Sequence, residues 1–109
     1  MVFILVNSAN YEIKMVEQMG IELDQGEKIG YCDYIKKRIY LSDLAFGKYL
    51  YKLLIHELTH AFTYEYTQKE FSEDNKWGVE DLAVFMENYG DEIIKASKIA
   101  YDKLKGIKK

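Results

Sequence analysis

The chain has 109 residues, of which 49% are hydrophobic, 30% charged and 15% aromatic, and its formal net charge is −3. That length suits a single domain over residues 1–109, and the balance is that of a soluble globular chain rather than a disordered or fibrous one. So small a net charge argues against nucleic acid or a membrane surface as partner, and a lone cysteine, Cys32, excludes a disulfide framework and any zinc-finger spacing.

Met1 to Val6 is apolar, but it lacks a basic leader and is far too short for a signal peptide or a membrane span. No other stretch approaches the length of a span, so a cytoplasmic protein is expected. Val2 to Val6 reads as a strand. Asn7-Ser8 reads as the cap of a first helix, with Ile13, Val16 and Met19 on one face and Gly20 closing it. Glu22 to Glu27 is polar and reads as a loop. From Lys28 the residues alternate and are rich in tyrosine, which favours a strand. Ile35 to Arg38 is a polar reversal, and Ile39 to Leu41 is a second strand, so an antiparallel hairpin is expected.

Ser42-Asp43 should cap a long helix running from about Leu44 to Tyr66. Thr67 to Asn75 is a polar loop. A helix over Lys76 to Tyr89 follows, with Val79, Leu82, Ala83, Met86 and Tyr89 on its apolar face. Gly90 interrupts, and Asp91 opens a third helix whose apolar side includes Ile93, Ser97, Ala100 and Leu104. The basic run Lys36-Lys37-Arg38 and the lysines near the C-terminus read as solvated faces.

The long helix carries Leu54-Ile55-His56-Glu57-Leu58-Thr59-His60-Ala61, an H-E-x-x-H pattern. An α-helix turns about 100° per residue, so His56 and His60 lie roughly 40° apart and about 6 Å apart along the axis. Two imidazoles so placed can converge on one ion, and zinc accepts imidazole nitrogen in four-coordinate sites. Glu57 falls beside the ligands on another azimuth, where it can serve as a general base. The competing reading, two ordinary histidines on a surface helix, is weakened because the motif uses the only two histidines in the chain. Leu50, Leu54, Leu58, Ala61 and Phe62 form the core stripe of this helix, which leaves the histidines facing away, in line with Tyr49, Lys52, Thr63 and Thr67.

A catalytic zinc site takes three protein ligands and keeps one position open. No third histidine exists, and Cys32 lies in the hairpin. Carboxylates of the following helix are the natural source. Glu80 and Glu87 flank its apolar face, whereas Asp81 points away; periodicity does not choose between the two glutamates.

Three segments together resemble the minimal gluzincin metallopeptidases, including small phage- and mobile-element-encoded relatives of the ImmA/IrrE group. They are Gly30-Tyr31-Cys32-Asp33-Tyr34 ahead of Ile39-Tyr40-Leu41, His56 through Phe62, and Glu80-Asp81-Leu82-Ala83-Val84-Phe85. The resemblance covers about two-thirds of the chain. It implies an α+β fold, a small antiparallel or mixed sheet packed on a zinc-binding helix and further C-terminal helices. It implies zinc held by His56, His60 and Glu80, with Glu57 as base. The activity implied is hydrolysis of a peptide or protein substrate that pairs with the edge of the hairpin. Larger relatives steady the oxyanion with a further histidine or a tyrosine; here only the metal itself or a tyrosine, Tyr34, Tyr64 and Tyr89 being among many, is left for this. The alternative function is a latent or inactive zinc-binding interaction protein on the same scaffold, and a third is a purely structural zinc site.

Overall fold

The computed structural model describes residues 1–17, 22–23, 26–27, 30–67 and 79–107. Strand β1 (Val2–Val6) turns directly into β2 (Ala9–Val16), and the two pair antiparallel from Val2↔Ile13 to Val6↔Ala9. Asn7 and Ser8 both have positive φ, 48° and 72°. That is the backbone of a two-residue type I′ hairpin turn, whose twist matches that of the strands it joins. Asn7-Ser8 is therefore a hairpin turn and not a helix cap, and the helix expected over Ile13 and Val16 is a strand. Tyr11 and Ile13 are buried with period two. The three-residue spacing of Ile13 and Val16 fitted a helix equally well; pairing decides the matter. The ends expected for that helix, Met19 and Gly20, fall outside the described residues.

Glu22–Leu23 (β3) and Gly26–Glu27 (β4) form a short antiparallel ladder where a loop was expected. The expected hairpin is present as β5 (Gly30–Asp33) and β6 (Arg38–Ser42), antiparallel from Asp33↔Arg38 to Gly30↔Leu41. Asp33 Oδ1 accepts the backbone N–H groups of Ile35 and Lys36, each at 3.1 Å, and so nucleates the reversal. β6 also pairs parallel to β2, Ile13↔Ile39 and Met15↔Leu41. The result is a mixed four-stranded sheet in the order β1-β2-β6-β5, so among the described residues β5 is an edge strand.

One face of the sheet is buried: Val2, Ile4, Val6, Tyr11, Ile13, Cys32, Ile39 and Leu41. Against it packs helix α1 (Gly47–Thr67) through Leu50, Leu54, Leu58, Ala61 and Phe62, the core stripe read from the sequence. The helix starts three residues later than expected. Ser42 accepts the Leu44 N–H at 3.2 Å and the Ala45 N–H bonds Ser42 O at 3.1 Å, which makes a turn rather than a helical start. Gly47 then takes φ +59°, a left-handed conformation that a residue with a Cβ adopts at a cost. Thr63, expected on the exposed side, is fully buried, its hydroxyl donating to His60 O at 2.8 Å.

The C-terminal half differs most from expectation. A single helix, α2 (Val79–Ile107), runs through Gly90 without a break. Its buried residues, Phe85, Ile93, Ala96, Ser97, Ala100 and Leu104, follow one helical stripe on both sides of that glycine. A glycine inside a helix costs only about 1 kcal/mol relative to alanine, far less than the continuous stripe gains by burial. Leu82, Ala83 and Met86, expected on the apolar face, are exposed. None of the described helices is long and apolar enough to cross a membrane. Among the described residues the fold is thus a small α+β arrangement of a mixed four-stranded sheet, a short two-stranded ladder and two helices.

Candidate metal centre

α1 and α2 run antiparallel, as their ring contacts show: Tyr66 stacks on Tyr89 at 4.3 Å and Tyr51 meets Tyr101 at 5.9 Å. Both contacts lie on the core side. His56 and His60 project on the other side of α1, ring centroids 5.0 Å apart and planes inclined at 71°. His56 is exposed and His60 half-buried. The two imidazoles the motif pairs are therefore brought together.

Glu57 is held differently. It is only 6% exposed, yet its Oε2 stands 4.0 Å from His56 Nε2. The wall that confines it is edge strand β5. A methyl group at Gly30 would lie 2.8 Å from Glu57 Oε2, with Cγ at 3.2 Å and Cδ at 3.3 Å. Only a residue without a Cβ lets the strand come this close to the carboxylate. Two residues along, on the same side of β5, the Cys32 thiol is buried. Burial first, and the neighbouring Glu57 charge second, push its pKa well up. The thiol therefore stays protonated, and native protein at about pH 8 is expected to alkylate slowly with iodoacetamide, whereas unfolded protein labels quickly. Rapid labelling of the folded protein would contradict this environment.

Below the histidines, one turn further along α1, Tyr64 stacks on Tyr34 at 4.6 Å. Tyr89, by contrast, fills the interface between the helices. The next turn ends in a polar knot. Tyr11 donates to Glu65 Oε2 at 2.6 Å, Lys37 Nζ pairs with the same oxygen, and Asn7 Nδ2 donates to Glu65 O at 3.1 Å. This knot ties the hairpin turns to the C-terminal end of α1 and fixes where β5 lies along the motif. Burial, and then the Glu65 bond, raise the Tyr11 phenol well above its ordinary pKa.

Glu80 is not brought to the histidines. It lies exposed in the first turn of α2. The helix rises about 14 Å between Glu80 and Tyr89, and Tyr89 already stands beside Tyr66, past His60 toward the end of α1. An unbroken helix at Gly90 thus carries Glu80 away from the pair. Glu87 and Asp81 are exposed on the same half. Among the described residues, no three His, Cys, Asp or Glu side chains gather as a metal-binding group. The donor types present still suit zinc, which takes imidazole nitrogen and carboxylate oxygen, and the Gly30 cradle holds a carboxylate beside them.

Sequence reading singled out His56, Glu57 and His60 but missed what Gly30 does. The signal was there: Gly30 and Cys32 share one face of a period-two strand, and that face meets the helix. Set beside protein-family models, curated proteins and solved structures, the chain matches none of them.

Proposed function

We propose that the chain is a zinc-dependent metallopeptidase of the minimal gluzincin kind, acting on a peptide or protein substrate. One observation carries the reading: a buried glutamate, confined by an edge strand, beside two imidazoles 5.0 Å apart on one helix.

His56 and His60 would hold the zinc, with Glu80 as the third ligand that the family resemblance supplies. Glu80 stands apart from the pair in this structure, and its place in the ligand set rests on that resemblance alone. Zinc, when bound, would lower the pKa of a coordinated water to about 7 and would polarise the scissile carbonyl. Glu57 Oε2 accepts the water proton and passes it to the leaving amine, a role typically worth about 10²–10⁴-fold. Among the described residues no strand pairs with the outer side of β5, where an extended substrate would add as a further strand, and Gly30 brings that strand against Glu57.

The test is cleavage of casein by zinc-loaded protein. Chelator-sensitive cleavage is expected, and bound zinc with no cleavage would turn the reading toward a binding protein on the same scaffold. Glu80→Gln is expected to weaken zinc binding by about 10-fold or more; unchanged affinity would remove Glu80 from the ligand set. Gly30→Ala is expected to leave zinc affinity within about threefold but to lower kcat by up to about 10²-fold, because a base misplaced by about 1 Å loses that much. A Gly30→Ala enzyme with parental kcat would show that the cradle does not position Glu57.

A further inference from the structure

At the other edge of the sheet, away from the histidines, β1 has the sequence Val2-Phe3-Ile4-Leu5-Val6. Among the described residues no strand pairs with its outer edge. It carries neither a charge nor a proline nor a bulge, three devices that blunt an edge. Phe3 and Leu5 are exposed on its outer face, Leu5 at 68%. Between this edge and α2 runs an open groove of ~760 Å³, lined on the helix by Glu92, Ala96, Ile99 and Lys103 among others.

Those four residues form one helical stripe with an order of its own: acid, small, large, base. Run antiparallel against itself, the stripe sets Glu92 against Lys103 and Ala96 against Ile99 at both ends of a twofold axis. The half-exposed Ile99 side chain then meets the space above a residue with no side chain beyond Cβ. The strand is self-complementary about the same kind of axis. Antiparallel pairing centred on Ile4 sets Val2 against Val6 and Phe3 against Leu5. A twofold interface needs this reciprocity, in which residue i meets j and j meets i.

We propose that the β1 edge and the α2 stripe form a homodimer interface, joining two four-stranded sheets into one through β1 and packing α2 on α2 across the twofold axis. Charge complementarity selects a second copy as the occupant. A foreign strand has no reason to carry the matching base and acid at the spacing this stripe presents.

Sedimentation equilibrium of the full chain tests it, with thermal unfolding of every variant as the control for folding. A concentration-dependent dimer is expected. Leu5→Lys, an exposed change on the outer face, should raise the dissociation constant by about thirtyfold or more. Lys103→Glu should raise it by about tenfold or more, through two Glu–Glu contacts per dimer. The double variant Glu92→Lys/Lys103→Glu should return to within about threefold of the parent. A chain that stays monomeric at every concentration leaves the groove to another partner or to none and overturns the proposal. So does a dimer indifferent to all three changes, since its interface lies elsewhere.

Discussion

Glu57→Gln is expected to bind zinc as the parent does and to lose at least about 10²-fold in peptide hydrolysis. The substitution is close to isosteric, so the side chain can keep its packing against Gly30 and its burial behind β5. Both imidazoles are untouched. What disappears is an oxygen basic enough to take a proton from water, since an amide does not accept one near neutral pH. Metal affinity and turnover should therefore separate cleanly, and that separation distinguishes a base from a ligand. Zinc content by mass spectrometry and cleavage of casein, measured on one preparation, give both readouts. Parental turnover by this variant would remove Glu57 from the chemistry.

His56→Ala is expected to abolish zinc-dependent stabilisation while leaving the metal-free protein nearly as stable as the parent. The His56 side chain is 66% exposed, and exposed truncations of this kind usually change stability by no more than about 0.5 kcal/mol. A ligand that binds only the native state adds about 2.7 kcal/mol at 100-fold excess over its Kd. For a chain of this size that is an upward shift in Tm on the order of 10 °C. The parent should show this shift on adding zinc, and His56→Ala should not. Equal shifts in both proteins would place the metal somewhere other than the histidine pair.

The motif was legible because its geometry is local. His56 and His60 are one turn apart on any helix, and the apolar stripe from Leu50 to Phe62 leaves no other face for them. The hairpin of β5 and β6 was legible for a similar reason: alternation and a polar reversal lie within a dozen residues. What the chain concealed was non-local. Asn7-Ser8 could cap a helix or turn a hairpin, and the pairing of β2 with β1 on one side and with β6, 26 residues further along the chain, on the other decides for the hairpin. Gly90 looked like a stop because glycine is a poor helix former. The stripe from Phe85 to Leu104 overrides that preference by packing on α1.

The same override explains Glu80. Its assignment as a ligand rests on resemblance and on a helix that breaks in time to return over the motif. Continuous helix through Gly90 instead sends it past the end of α1. Gly30 is the converse case. Glycine in a strand reads as weakness, yet here it is the contact that lets a carboxylate sit beside two imidazoles.

Calorimetric titration of zinc into dialysed, metal-free protein tests the histidine pair as a metal site with the fewest intermediate steps. One saturable site per chain is expected, lost in His56→Ala and retained in Glu57→Gln. Absence of any binding heat in the parent, or a site that survives loss of His56, would contradict it.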